Sequence, residues 1–339
     1  MKVLGSVTVD SFSGKLAVVT GGGSGMGREL AGQLAAQGCS VATCDWHADA
    51  VARTAAAAQR DAPSGVLVTG HAFDVSDEGQ VLRFRDDLLG QHAADHVDLV
   101  FSNAGIGGGA SFVRDSREAW ERTFAVDWWG VYYVARAFLP LLIASGDGVL
   151  VNTSSVAGFW AAGGTGMPNT AYATAKFAVR GFTEALVEDL RSNAPQVRVA
   201  VVMPGHIGTD IVANSWRAQG LPEPEDMSRE MLEELIPPSA QARLIKAGWV
   251  SADASADDLR RALRRIEADF REKAPLSPAA AATIILDGVR SGAWRILVGR
   301  DARLIDAALR ANPEAAYDYS TLFRAVGQLA RDSGEAPDS

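Results

Sequence analysis

The sequence contains only two cysteines among its 339 residues, Cys39 and Cys44. Two cysteines are too few for a disulfide framework or a zinc site, and their scarcity is typical of a protein from a reducing compartment. We therefore expect no disulfide and no metal centre.

Excess positive charge and long apolar runs are also lacking. The chain carries 32 Lys and Arg against 41 Asp and Glu, a net charge of −9, which disfavours nucleic acid or an anionic membrane as a partner. The most apolar long window, Ala125 to Ala144, contains Asp127 and Arg136 and predicts a buried helix instead of a membrane span. No basic segment leads into an apolar core near Met1, so no secretory signal is expected. These absences predict a cytoplasmic protein.

Apolar residues, by contrast, make up 47% of the chain, enough to bury a large core. Short continuous apolar runs predict strands that are buried on both faces, and helix-like stretches alternate with them. The predicted strands are Leu16–Val19, Ser40–Cys44, Val66–Phe73, Val97–Phe101, Val149–Val151, Val197–Val202 and Arg295–Val298. This alternation predicts an α/β fold with a doubly wound, Rossmann-like parallel sheet in a single domain, 1–339.

Two segments depart from the alternation. Residues 211–274 are long, charged and interrupted by prolines, which predicts a helical insertion that folds over the site as a lid. Residues 329–339 are polar, which predicts a disordered tail.

A glycine-rich turn, Thr20 to Gly27, follows the first predicted strand and precedes a helix. Glycines in such a turn let a pyrophosphate approach the helix N-terminus. Asp45 ends the second strand, where an acidic side chain can bind an adenosine ribose and repel a 2′-phosphate. The pattern favours NAD over NADP, although glycine turns also occur without a ligand and Asp45 could be a solvated loop acid.

Tyr172 and Lys176 lie four residues apart on a predicted helix, so both side chains can reach one site. A free tyrosine has a pKa of about 10, and a fixed cation nearby favours the phenolate of such a group. The pair could therefore carry a proton at neutral pH. The alternative is a tyrosine in the core and a lysine in water.

Six motifs, in this order, resemble those of the short-chain dehydrogenase/reductase family over Lys15 to Thr209. They are Thr20-Gly21-x-x-x-Gly25-x-Gly27, Asp74-Val75, Asn103-Ala104-Gly105, Ser155, Tyr172-x-x-x-Lys176, and Pro204-Gly205 with Thr209. In that family they are the cofactor turn, the adenine contact, a sheet-stabilising motif, the catalytic serine, the catalytic pair and the nicotinamide-side loop. Together they make the resemblance highly specific.

The resemblance implies an NAD-dependent oxidoreductase that moves a hydride between nicotinamide and a secondary alcohol or ketone. Tyr172 would be the acid/base, Lys176 would bind the ribose and favour the phenolate, and Ser155, not Ser154, would hold the substrate oxygen. It also implies a homodimer or homotetramer. The cofactor residues carried over are Gly21, Ser24, Gly25, Met26, Gly27, Asp45, Asp74, Val75, Asn103, Ala104, Gly105, Tyr172, Lys176, Pro204, Gly205, Ile207 and Thr209.

Asp127 departs from the family pattern, because it aligns with the family's catalytic asparagine. We expect an ionised carboxylate near the phenol to disfavour the phenolate; the alternatives are a neutral Asp127 or one paired with a cation such as Arg136.

The segment between Ser155 and Tyr172 is longer than the family norm. Its Phe159, Trp160 and Met167 predict an apolar substrate wall, which His206 would also line. Two other functions stay open: a lyase or epimerase that uses bound NAD, and a catalytically silent NAD-sensing protein, which would be expected to lose Tyr172 and Lys176.

Overall fold

The computed structural model describes residues 9–161 and 168–332. Their central feature is a seven-stranded, wholly parallel sheet with the order β3-β2-β1-β4-β5-β6-β7. The strands are β1 (Leu16–Thr20), β2 (Ser40–Asp45), β3 (Val68–Ala72), β4 (Leu99–Ser102), β5 (Gly148–Thr153), β6 (Val197–Pro204) and β7 (Arg295–Val298). The predicted Rossmann-like fold is confirmed. Because the strand order reverses between β1 and β4, a crevice forms at their carboxyl ends.

Thirteen α-helices connect or follow the strands in the described ranges. They are α1 (Gly25–Ala36), α2 (Ala48–Asp61), α3 (Glu78–Gln91), α4 (Arg117–Phe124), α5 (Gly130–Ala144), α6 (Thr170–Asn193), α7 (Ile211–Ala218), α8 (Arg229–Leu235), α9 (Pro238–Lys246), α10 (Ala256–Glu272), α11 (Pro278–Arg290), α12 (Arg300–Ala311) and α13 (Tyr319–Asp332). Within those ranges, no helix combines the length and the apolar character that crossing a membrane requires.

Two apolar layers cover the faces of the sheet. Successive side chains of a strand point to opposite faces, so Val19 of β1 packs toward α1 and α11 whereas Val18 packs toward α3, α5 and α6. Both valines are fully buried, as the continuous apolar run of β1 predicts. This packing leaves the carboxyl ends of the strands free to carry the site.

The helix predicted over Ala125 to Ala144 is not regular throughout. A π-helical turn, Ala125–Trp129, separates α4 from α5. Such a turn inserts an extra residue into a helix and often marks a functional site. Its central residue, Asp127, is fully buried.

The segment 211–274 contains the four helices α7 to α10 and builds an apolar cluster of its own. Met227 and Leu232 pack there with Leu259 and Leu263 of α10. The buried residues of α10 lie at helical spacing, which explains why the segment folds as a helical unit attached after β6.

The C-terminal helices α12 and α13 form a second addition. Helix α13 extends to Asp332, so the prediction of a disordered tail is wrong for residues 329–332. The physical reason is apolar: Leu329 packs with Leu322 and Trp160 in a cluster that also includes α12. Residues 333–339 lie outside the described part of the chain.

Candidate active site

A cavity opens at the carboxyl ends of β1, β2 and β4, where ligands bind in doubly wound sheets. Most of the predicted cofactor residues line it. They are Gly21, Ser24, Gly25, Met26, Asp45, Asp74, Val75, Asn103, Ala104, Gly105 and Thr209. Gly27, Pro204, Gly205, Ile207, Tyr172 and Lys176 do not line this cavity.

The glycine turn is packed so closely that side chains are excluded from it. Gly21 has φ +69°, and a Cβ there would lie 2.8 Å from the Cα of Ala104. A Cβ on Gly27 would lie 2.1 Å from the carbonyl oxygen of Gly21, so Gly27 serves helix–strand packing. Thr20 Oγ1 joins the turn to the next loop by accepting the N–H groups of Asn103 and Ala104, both at 3.0 Å.

The carboxylate of Asp45 lies against this turn. Its Oδ2 accepts the N–H of Gly23 at 2.9 Å, and its Oδ1 accepts the N–H of His47 at 3.0 Å. A Cβ on Gly23 would lie 2.8 Å from Asp45 Cγ, so only glycine allows this approach. The acid is therefore a fixed part of the cavity wall, and its contact with a ribose stays a prediction.

These features fit a nicotinamide dinucleotide. The glycine cradle opens onto the N-terminus of the 12-residue helix α1, which suits a pyrophosphate. Asn103 lines the cavity, and its buried Oδ1 has no hydrogen-bond partner among the described residues. A buried unpaired acceptor of this kind is satisfied when a ligand donates to it.

Asp74 stands at another part of the cavity. Its Oδ1 accepts the N–H and hydroxyl of Ser76 at 2.9 and 2.7 Å, and its Oδ2 accepts Arg122 Nη1 at 2.7 Å. Burial acts to raise the pKa of Asp74, but the hydrogen bonds from Ser76 and Arg122 outweigh it and hold the pKa below its usual value. Asp74 is thus an ionised acceptor.

Tyr172 and Lys176 stand one helical turn apart at the beginning of α6. The Lys176 ammonium lies 5.4 Å from the centroid of the Tyr172 ring. Lys176 is only 3% exposed, whereas Tyr172 is half-buried. The alternative of a core tyrosine beside a solvated lysine is therefore wrong, since the lysine is the buried partner.

Two adjacent serines at the end of β5 have different environments. Ser154 Oγ donates to the carbonyl oxygen of Lys176 at 2.7 Å, which ties β5 to α6. Ser155 Oγ accepts the N–H of Ala157 at 3.1 Å, so its own proton is not used in that bond. This difference supports Ser155 as the serine that can donate to a substrate.

Asp127 forms a buried ion pair with the predicted catalytic lysine, not with Arg136. Its Oδ2 lies 3.1 Å from Lys176 Nζ, at an angle that does not make a well-aligned hydrogen bond, and its Oδ1 accepts the N–H of Ile106 at 2.8 Å. A Cβ on Gly105 would lie 3.1 Å from Lys176 Nζ and 3.4 Å from Asp127 Oδ1. Because glycine has no side chain, Gly105 leaves room for the Asp127–Lys176 ion pair.

The pKa values within this pair follow from burial and charge. Burial raises the pKa of Asp127, although Lys176 and the Ile106 N–H act in the opposite direction. Burial acts to lower the pKa of Lys176, but the charge of Asp127 and the neighbouring Tyr172 outweigh it and raise that pKa. Lys176 therefore remains a cation beside the phenol.

The loop after β6 contributes Thr209 to the cavity, whereas its other predicted residues are used for packing. A Cβ on Gly205 would lie 2.1 Å from Asp301 Oδ1, and Asp301 Oδ2 accepts the N–H of His206 at 2.6 Å. His206 Nε2 lies 2.7 Å from the carbonyl oxygen of Phe270 in α10, and Ile207 is buried. The His206 ring thus fastens the loop to α10.

The predicted aromatic wall has a different position from the expected one. Trp160 is 7% exposed, and its Nε1 donates to the carbonyl oxygen of Ala316 at 2.7 Å. Phe159 packs against the same cluster of α12 and α13. Both rings therefore anchor the loop after Ser155, which makes any role toward substrate indirect. Met167 lies outside the described residues.

Helix α7 covers the cavity by bonding to both of its sides. Asn214 Nδ2 donates to Ser24 Oγ of the glycine turn at 3.1 Å, and Ser215 Oγ accepts the N–H of Gly107, beyond β4, at 2.6 Å. Sequence reasoning did not name several lining residues: Gly23 lies at a variable position of the glycine turn, and no motif marks the others. They are Gly23, Trp46, His47, Ala50, Phe73, Ile106, Arg122, Val126, Ile211, Asn214 and Ala218.

Comparisons with known proteins agree with this geometry. The family model described as short chain dehydrogenase matches residues 15–220. The Mycobacterium tuberculosis protein SadH is 35% identical over 302 residues, which cover 89% of this chain and 92% of SadH.

Two solved structures are also similar. A short chain dehydrogenase/reductase from Burkholderia phymatum in complex with NAD has a TM-score of 0.68 at 27% identity, over 89% of this chain and 96% of its own. A metagenomic short-chain oxidoreductase in complex with NADP has a TM-score of 0.50 at 29% identity, over 57% of this chain and 83% of its own. The chain belongs to the short-chain dehydrogenase/reductase family, whose members bind a nicotinamide cofactor.

Proposed function

We propose that this chain is an NAD-dependent oxidoreductase that interconverts a secondary alcohol and a ketone. The observation that carries the proposal is the arrangement of Tyr172, buried Lys176 and Ser155 at the carboxyl end of β5 and the beginning of α6. Asp45 on the cavity wall supports NAD, because a carboxylate there would repel a 2′-phosphate.

The residues divide the chemistry between them. The bound cofactor supplies or accepts the hydride at the substrate carbon. In ketone reduction, Tyr172 gives its hydroxyl proton to the substrate oxygen while Ser155 Oγ donates a hydrogen bond to that oxygen. In alcohol oxidation, Tyr172 accepts the proton. Lys176 holds the phenol in a positive field and binds the ribose.

An apolar substrate is supported by the segments on either side of Tyr172. Residues 106–113, of which Gly109 and Ala110 accept N–H groups from the beginning of α6, contain no charged side chain, and neither do residues 155–158. Burying an unpaired ionic group of a substrate against such a wall would cost free energy, whereas burying apolar surface is favourable.

The test is a screen for NADH formation from NAD with cyclic, aryl and terpenoid secondary alcohols. The proposal expects at least one alcohol class to give turnover with the wild-type protein, and a Tyr172→Phe blank to give none. An absence of NADH formation across the panel, together with bound NAD that survives purification, would favour the second candidate, a lyase or epimerase. The cover that α7 forms over the cavity is the observation that favours this candidate.

A further inference from the structure

Arg122 extends from α4 into the wall of the cofactor cavity and bonds to three residues in two different parts of the chain. Its Nη1 donates to Asp74 Oδ2 at 2.7 Å and to Ser76 Oγ at 2.9 Å. Its Nε donates to the carbonyl oxygen of Ala218, the last residue of α7, at 3.4 Å. The guanidinium is therefore held between the loop after β3 and the covering helix.

These contacts fix the Asp74 carboxylate in one orientation. Arg122 holds one carboxylate oxygen and Ser76 holds the other, so rotation of the carboxylate would break bonds on both sides. An ionised carboxylate can only accept hydrogen bonds. It therefore favours a ligand that presents an amino group and disfavours one that presents an oxygen at the same place.

We propose that Arg122 is a positioning residue that makes the site selective for the 6-amino group of adenine by holding Asp74 in place. The inference rests on the dinucleotide binding of the proposed function and adds a determinant of base recognition to it. Because Arg122 acts through Asp74, removing its charge weakens the selectivity of the site for the base.

The probe is reduced nicotinamide hypoxanthine dinucleotide, in which an oxygen replaces the 6-amino group of NADH. Dissociation constants for both dinucleotides are measured by fluorescence titration. We expect wild-type protein to prefer NADH by about tenfold, equivalent to about 1.4 kcal/mol. In Arg122→Gln the preference falls below about threefold.

Arg117→Gln is the matched control, because Arg117 lies on the same helix, has an 83% exposed side chain and forms an ion pair with Glu121. Its preference is expected to equal that of wild type. Arg122→Lys keeps the charge beside Asp74 and is expected to retain most of the preference, which a purely structural role would not predict. It also tests the proposal if Arg122→Gln does not fold.

A folded Arg122→Gln protein that keeps the wild-type preference for NADH would overturn the inference, as would a folded Arg122→Lys protein that loses it. A wild-type protein with equal affinity for the two dinucleotides would overturn it as well. A wild-type protein that binds neither dinucleotide would overturn the proposed function itself. The two failures are therefore distinguishable.

Discussion

At the scale of single residues, the electric field at Tyr172 depends on Asp127, whose carboxylate is paired with Lys176. The sequence predicts Asp127 near the phenol, and the structure places it 3.1 Å from Lys176 Nζ, with both side chains buried. The positive field of Lys176 on Tyr172 is thus partly cancelled by Asp127. An asparagine at this position would leave that field intact.

The first prediction is that Asp127→Asn shifts the ascending, acidic limb of the kcat/KM profile for alcohol oxidation to lower pH. The sign follows from charge: a negative carboxylate opposes the development of negative charge on the phenol oxygen, so removing it favours the form of the site that accepts the substrate proton. The expected shift is about one pH unit. Asp86→Asn on the exposed face of α3 is the control and leaves the profile unmoved.

The Asp127 variant is also expected to lose about 3 kcal/mol of unfolding free energy, because Lys176 stays buried without its counter-charge. Profiles are therefore recorded well below its Tm. An unmoved profile would reject the electrostatic role, and an inactive but folded variant would show that Asp127 takes part directly in catalysis.

The second prediction concerns the choice of cofactor at Asp45. We expect kcat/KM for NAD to exceed that for NADP by about tenfold or more, since like charges in a partly buried site cost about 1 to 2 kcal/mol. Asp45→Ser should reduce the preference for NAD over NADP, chiefly by lowering the KM for NADP. Asp49→Ser, on the exposed beginning of α2, serves as the control. A wild-type preference for NADP would contradict the role of Asp45.

At the scale of secondary-structure elements, α7 is the part of the 211–274 segment that touches the cofactor cavity. Its bonds to Ser24 and to Gly107 join the two lips of the crevice. Because these bonds span the crevice, we predict that this segment acts as a lid that opens for a dinucleotide to enter or leave.

The third prediction is that Asn214→Ala combined with Ser215→Ala speeds NADH dissociation by about tenfold, because each bond contributes about 0.5 to 1.5 kcal/mol. Stopped-flow displacement measures this rate. Arg229→Gln, on α8 of the same segment and paired with Glu233, should leave it unchanged. An unchanged rate in the double variant, or equal proteolysis within residues 211–274 with and without NADH and a ligand, would reject the lid.

The sequence predicts elements and residues best where local pattern decides them. Gly21 and Asp45 follow strand ends with apolar runs, so both the sheet and these positions could be foreseen. Arg122 could not, because its contacts with Asp74 and Ala218 join residues 48 and 96 positions away along the chain. Trp160 was assigned to the substrate wall because nothing local shows that α13 buries it.

At the scale of the whole molecule, two additions to the sheet hold the loops of the active site. The α12–α13 pair buries Trp160 beyond Ser155 and supplies Asp301 to the loop after β6. The 211–274 segment holds His206 through α10 and covers the cavity through α7. The loops of the site are therefore held in part by helices that lie outside the sheet and its two covering layers.

The fourth prediction is that the protein assembles as a homodimer or homotetramer through an aromatic surface, defined as Trp128, Trp129, Tyr132, Phe177 and Phe182. Trp129 and Phe177 are 42% and 41% exposed. Trp128, in the π-helical turn before α5, packs edge-on against Phe182 of α6. Exposed aromatic clusters are typical of interfaces.

Sedimentation velocity measures the assembly. Trp129→Lys with Phe177→Lys should yield monomers, whereas Phe323→Lys, at an exposed aromatic residue on α13, should not. A monomeric wild-type protein, or a double variant that assembles like wild type, would contradict this surface.

The fifth prediction tests the central claim, that Tyr172 transfers the proton in a nicotinamide-dependent reaction. Tyr172→Phe removes only the hydroxyl and keeps the ring beside Lys176. NADH affinity, measured by fluorescence, should stay within about threefold of wild type, while kcat with the best substrate of the panel falls by at least about a hundredfold. A Tyr172→Phe protein that binds NADH and keeps about a tenth or more of the wild-type kcat would contradict the account.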